Sequence, residues 1–242
     1  MHGSSHSWTP YCGIAPVPAN WLENWNGDPI LIFAITAFLA LGFKYAPQTK
    51  KYHVAASAVA LILFVTPLCA LGSALFSIRT IHHVALALVL APLLAKSFDL
   101  QRFVGPPALG VLTGIQALIF WFWHAPPVYS AALSSDIVFW VMQLSLTGSA
   151  ALWWASMRQA QVPATVAATL ATMVQMGALG ALLTFAGRAF YAPHFATTQP
   201  WGWTPLEDQQ VAGLIMWAPA SAAYLLIALA ILYRSMKPAY AR

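Results

Sequence analysis

Charge is what this sequence has least of. Only 7% of its 242 residues are Asp, Glu, Lys or Arg, while 60% are hydrophobic. A soluble domain is about a quarter charged, so polar surface is too scarce here to cover a water-soluble globule. Other absences narrow the function. There is no Walker, GxGxxG or GxSxG pattern, and the two cysteines form no CxxC. No apolar run carries an ionisable side chain at its centre, which argues against an ion-coupled pump or a voltage sensor, since both need charge at depth. Internal repeats are not evident, so a transporter built of inverted halves is disfavoured. The first 28 residues contain no Lys or Arg and lack the basic start of a signal peptide.

What is present is a series of apolar stretches of the length that crosses a bilayer. Seven are predicted, at about 30–46, 53–72, 79–97, 107–124, 137–157, 163–187 and 205–234, with a short mixed connector at 98–107. The expected fold is an all-α polytopic membrane protein, a seven-transmembrane helix bundle. It divides into an extracytoplasmic tail (1–28), the transmembrane domain (29–236) and a cytoplasmic tail (237–242). Orientation follows from Lys and Arg in the short loops. With the N-terminus outside and the C-terminus inside, the inner side holds Lys44, Lys50, Lys51, Lys96, Arg102, Arg158, Arg234, Lys237 and Arg242, and the outer side only Arg79 and Arg188. The net charge of +5 then meets anionic lipid at the cytoplasmic rim and needs no nucleic acid to explain it. Trp8, Tyr11, Trp21 and Trp25 suit the headgroup layer.

Helix ends are legible. "WTPLEDQQ" (203–210) puts Thr204 at the N-cap, Pro205 first in the helix and Glu207 at the third position, a capping box. "SSD" (134–136) supplies caps for the fifth span, and Pro163 starts the sixth. Pro67, Pro92 and Pro219 are expected to kink their helices and free the carbonyls of Leu63, Leu88 and Ile215. Small residues at Gly177 and Ala181, and at Gly180 and Thr184, allow another helix to come close.

On this topology His2, His6, His82, His83, His124 and His194 face outward, and only His53 is cytoplasmic. Neutral imidazole is the commonest metal ligand, and a helix N-terminus disfavours the imidazolium form of His82 and His83. Cys69, Met216 and the pair Met173 and Met176 add soft donors, a set that suits Cu(I) better than Mg or Ca. Plainer readings stand beside this one. His82 and His83 can bond headgroups or loop carbonyls, and His124 can extend the aromatic belt of "WFW" (121–123). The methionines can be packing residues. Glu207 and Asp208 can serve helix ends or pair with Arg79 and Arg188. Cys12 and Cys69 both face the oxidising side, either joined as a disulfide or free with one binding copper.

Three stretches together, "HHVALALVLAPLL" (82–94), "WFWHAPPVYSAAL" (121–133) and "WGWTPLEDQQVAGLIMWAPA" (201–220), resemble the multispan CtaG family of cytochrome c oxidase assembly proteins. The resemblance runs from about residue 30 to 234, and the third stretch is its most specific part. It implies a non-enzymatic factor in the bacterial cytoplasmic (inner) membrane, working on haem–copper oxidase subunits and supplying copper. His83 then matches the histidine upstream of the Ala-Pro in the third span, His124 that of Trp-His-x-Pro, and Asp208 the Asp of Asp-Gln-Gln. The family often has a second histidine one turn before the first, where this chain has Arg79. His82 points about 100° away from His83 and is a poor replacement. Two other classes remain open: a haem b-binding redox anchor with histidines from two helices, and a permanent accessory subunit of an oxidase.

Overall fold

The computed structural model describes residues 10–105 and 108–236. His2, His6 and Trp8 of the expected outer tail, and Lys237 and Arg242, lie outside the described residues. Within them the chain forms nine helices and no strand. They are α1 (Pro29–Tyr45), α2 (Lys50–Phe64), α3 (Leu68–Ala74), α4 (Phe76–Ser97), α5 (Ala108–His124), α6 (Pro126–Ala132), α7 (Asp136–Met157), α8 (Val162–Thr184) and α9 (Pro205–Met236).

Four of them, α4, α7, α8 and α9, are long and apolar enough to cross a membrane, and six spans result if each bent pair, α1 with α2 and α5 with α6, counts as one. The expected count was seven. Two features of the α1–α3 region keep the seventh span from being established. At 17 and 15 residues, α1 and α2 reach only about 25 and 22 Å, short of a hydrocarbon core of about 30 Å, and their axes differ by 118°. The apolar run 53–72 is also interrupted, because α2 stops at Phe64 and α3 restarts after Pro67. Proline removes the donor that would have carried the helix through.

At the other two interior prolines the helices widen rather than break. Residues Leu86–Leu90 form a π turn just before Pro92, and Met216–Ala220 one that includes Pro219. In the first, the Ala91 N–H reaches Leu86 O. In that register the carbonyl of Ala87 looks to Pro92, which has no N–H. The indole of Trp154 on α7 donates to it instead at 2.8 Å. The freed acceptor is therefore Ala87 rather than the expected Leu88, and satisfying it ties α4 to α7. In the second turn the Ser221 hydroxyl donates to Met216 O at 3.1 Å.

The crossing of α8 and α9 depends on glycine. A Cβ on Gly213 would lie 2.5 Å from Gly180 O, and one on Gly180 would lie 2.7 Å from Gly213 O. The two backbones touch, as the small residues around Gly180 and Thr184 led one to expect. The capping box is also present: Glu207 N–H donates to Thr204 Oγ1 at 3.2 Å and Thr204 N–H to Glu207 Oε2 at 2.8 Å. Ser135 is the N-cap of α7 but makes no side-chain cap bond.

Three anchors hold the tail before α1. Cys12 forms a disulfide with Cys69 on α3, with Cα atoms 5.4 Å apart. The Tyr11 hydroxyl donates to Asp28, whose other oxygen caps α1 by accepting from Ile30 N–H at 2.8 Å. The Trp201 indole donates to Pro16 O at 3.0 Å. Burial, with Asp28 alongside, pushes the Tyr11 hydroxyl up to about 12, and the same bond holds the Asp28 carboxyl below its ordinary range.

Candidate functional site

The site begins where α3 gives way to α4. Leu75 between them is extended, so α4 starts abruptly, with free N–H groups and no side-chain cap of its own. Buried amides need partners. Asp208, from the first turns of α9, supplies them. Its carboxylate accepts from Phe76 N–H at 2.6 Å, from Ser77 N–H at 3.2 Å and from the Ser77 hydroxyl. A carboxylate at the positive end of a helix is favourably placed, and here it also clamps the last helix to the fourth. Asp208 thus serves a helix end, that of α4 rather than its own, and ties α9 to it.

One turn further along α4 is Arg79, 0% exposed. Its Nε donates to Gly72 O at 3.2 Å and its guanidinium lies 5.3 Å over the Phe139 ring. A Cβ on Gly72 would come within 3.0 Å of the guanidinium carbon, so glycine makes the room. The expected pairing of Arg79 or Arg188 with Glu207 or Asp208 is not found. Among the described residues the one ion pair is Arg102 with Asp99, because Glu207 is spent on its capping box and Asp208 on α4. Both terminal amines of Arg79 lack a hydrogen-bond partner among the described residues.

His82 and His83 follow, both buried. The helix starts at Phe76 rather than near 79, so they end its second turn instead of occupying its first. They diverge as expected from their 100° separation. His82 packs edge-on against Phe64 of α2, with centroids 5.0 Å apart, and neither ring nitrogen finds a partner among the described residues. His83 points to α5, where its ring stands edge-to-face with His124, 5.7 Å between centroids. The Nε2 of His83 also lacks a partner. His124 lies with its Nδ1 at 2.7 Å from Phe120 O. A carbonyl only accepts, so Nδ1 carries the proton and the neutral ring keeps its lone pair on Nε2. A carbonyl on the far nitrogen is the usual way to orient a metal-binding imidazole.

His194 was placed in the outer loop by sequence, and the structure folds that loop into the same buried cluster. Both of its nitrogens are taken. Nδ1 donates to Ala74 O at 3.3 Å, and Nε2 accepts from the Tyr129 hydroxyl at 2.8 Å. Burial pushes its imidazole down to about 3, so it is neutral and structural. Tyr191 from the same loop stacks on Phe76 at 3.9 Å and donates to His124 O at 2.8 Å. Sequence reading missed these supporting residues. Tyr129 lay inside the quoted "WFWHAPPVYSAAL", whereas Gly72, Ser77 and Tyr191 gave no signal without the partners they meet.

The soft donors fare differently. Cys69 is joined to Cys12, which removes its thiolate from the expected ligand set. Met216 is buried where α9 crosses α8 beside Gly180. Among the described residues no three His, Cys, Asp or Glu gather closely enough to hold a metal ion. What remains is a pair of imidazoles, His83 and His124. A metal–nitrogen bond of about 2 Å puts a ring centroid roughly 3 Å from the ion, so two rings sharing one ion sit about 5 Å apart at a tetrahedral angle and about 6 Å apart when collinear. The observed 5.7 Å between centroids brings the rings close enough to share one ion, at an angle bent away from the linear two-coordinate arrangement. A haem b macrocycle fits poorly, because Phe120 and Phe76 pack at 4.3 and 6.4 Å from His124 and fill the flanks such a ring needs.

Among known proteins, the family model of the cytochrome c oxidase caa3 assembly factor (Caa3_CtaG) matches residues 99–238, more than half of the chain. The matched part carries His124, Asp208 and Met216, while Arg79, His82, His83 and the disulfide lie upstream of it. No curated protein matches the chain, and no solved structure does. The chain belongs to the cytochrome c oxidase caa3 assembly factor family.

Proposed function

We propose that this member of a family of cytochrome c oxidase assembly factors works without catalysis in the bacterial cytoplasmic membrane. It engages haem–copper oxidase subunits and holds Cu(I), as cargo, between His83 and His124 at its outer face. The observation that carries this reading is the pair of buried imidazoles 5.7 Å apart, one with a partnerless Nε2 and the other with its lone pair directed away from Phe120 O. Two neutral imidazoles with no thiolate and no carboxylate make a weak site, which suits an ion that must be passed on.

The orientation that goes with this reading has the N-terminus outside and the C-terminus inside. It requires α1 and α2, short as they are and bent 118° from each other, to cross as two separate spans, seven in all. The Cys12–Cys69 disulfide supports it, because such bonds persist on the oxidising side and this one joins the α3 end of the site. Lys96 at the far end of α4 and Arg158 at the far end of α7 support it by the positive-inside rule.

The test is Cu(I) stoichiometry of the detergent-purified protein, alongside a pull-down for oxidase subunits. His83→Ala and His124→Ala are each expected to lower the copper bound while leaving helical content intact. Unchanged binding in both variants rejects the copper site. A red protein with a Soret band would instead establish the haem reading. Stoichiometric co-purification with mature oxidase would make the chain a permanent subunit, whereas a transient factor is recovered in substoichiometric amounts.

A further inference from the structure

At the far end of α4 from the histidines, three helices finish around one depression. α1 ends at Tyr45, α4 at Ser97 and α7 at Met157. Between them lies a cavity of about 570 Å³, lined by Thr49, Tyr52, Lys96, Asp99, Arg102 and Arg158 among others. Asp99 pairs with Arg102. Lys96 and Arg158 have no acidic partner among the described residues, so the lining keeps a surplus of two positive charges. Lys96 Nζ lies 4.9 Å over the Tyr52 ring. The carbonyls that end α4 are already engaged: Ser97 Oγ donates to Leu93 O, Thr49 Oγ1 to Ser97 O and Phe98 N–H to Leu94 O. The N-terminus of α2, by contrast, borders the cavity with no side-chain cap at Thr49.

A second cavity of about 330 Å³ adjoins the first and is lined by Phe38, Leu41, Gly42 and His53. Tyr45, Ala46, Ser97 and Phe98 line both. The two therefore lie side by side across those four residues, the first basic at its rim and the second apolar along α1. A free phosphate would satisfy only the basic half. An occupant that answers both halves has a phosphate head and a hydrocarbon tail.

We propose that these cavities bind one anionic phospholipid, its phosphate between Lys96 and Arg158 and an acyl chain along Phe38 and Leu41. Guanidinium and ammonium groups at the ends of spans are the usual partners of lipid phosphate. This site is independent of the histidine pair and of what that pair holds.

The experiment is native mass spectrometry of the full chain released from nanodiscs of equal phosphatidylglycerol and phosphatidylcholine. Wild-type protein is expected to retain phosphatidylglycerol in preference, and K96Q/R158Q to lose about thirtyfold in that preference, from two basic contacts. Leu41→Trp should lower occupancy of either lipid by filling the groove. Arg234→Gln, a basic residue of α9 outside the cavity, should behave as wild type. If the double variant fails to fold, Arg158→Gln alone carries the test, with about a fivefold loss expected. Equal retention of the two lipids by wild type overturns the proposal, as does a preference that survives loss of both charges. Thermal protection of wild type by inorganic phosphate, with no phosphatidylglycerol retained, overturns it in favour of a free anion.

Discussion

Replacing Arg79 by glutamine removes a full positive charge one helical turn from His83. Cβ atoms four residues apart on a helix are about 6 Å from each other, a spacing that bounds the effect, since the guanidinium itself is turned to Gly72 O and the Phe139 ring. Two unit charges at that distance repel by roughly 3 kcal/mol at the effective dielectric of about 20 that suits protein sites. A Cu(I) ion held as proposed on His83 and His124 would feel that repulsion in the wild type. Arg79→Gln is therefore expected to tighten copper binding by up to about a hundredfold. Glutamine keeps a donor in reach of Gly72 O, the acceptor that Arg79 Nε uses at 3.2 Å, so the helix start should survive. Competition against a chromophoric Cu(I) chelator, with ascorbate as reductant and detergent-purified protein, gives the affinity directly. Arg79→His, which restores the histidine that the family resemblance leads one to expect at this place, should bind more tightly still. An Arg79→Gln protein that melts like wild type and binds copper equally or less well would refute the electrostatic reasoning and the site with it.

Other outcomes follow from separate features. Asp208→Ala leaves the N–H groups of Phe76 and Ser77 buried and unpaired, and should cost about 3 kcal/mol in detergent unfolding, with Asp208→Asn recovering part of it. Cys69→Ser opens a loop whose ends are 57 residues apart. The chain-entropy relation makes this worth about 4 kcal/mol, read as a lowered melting temperature with a changed non-reducing gel mobility. Gly213→Ala drives a methyl into Gly180 O and Thr184 Oγ1, each 2.5 Å away, and should destabilise by about 1–3 kcal/mol, seen in the same thermal melt. His194 supplies a pH dependence. Its folded value is depressed to about 3, so below the ordinary imidazole range the unfolded chain binds a proton that the folded chain refuses. Its contribution to stability is full above that range and is lost as pH falls toward 3. The melting temperature of wild type should drop faster between pH 7 and pH 4 than that of His194→Gln. Parallel curves would show that the ring is not buried neutral.

Much of the fold was legible because its signals are local. The helices α4, α7, α8 and α9 follow from apolar length, the start of α9 from Thr204 and Glu207, and the α8–α9 contact from small residues on one face. The break after Phe64 was legible only as the kink expected at Pro67, since the apolar run continues through Val65 and Leu68 and nothing else marks a full interruption. Two of the candidate residues, His83 and His124, were singled out by sequence and are found facing each other. Arg79 was harder. An arginine at the edge of an apolar run reads as a rim anchor, and its burial depends on Gly72 and Phe139, which only packing brings together. Loop position likewise gave no sign that His194 is buried, with Ala74 O and Tyr129 as partners for both its nitrogens.

Asp208 lies 132 residues downstream of the Phe76 amide that it accepts from. A growing chain inserts its helices in order, so α4 enters the membrane long before its carboxylate partner has been translated. During that interval the first amides of α4 have only water or lipid headgroups to bond, and the turn bearing His83 is free to fray. The imidazole pair therefore cannot be set until the final helix arrives. On the copper reading proposed above, a chain that stalls before α9 would hold the ion less well, and completing synthesis would itself complete the site.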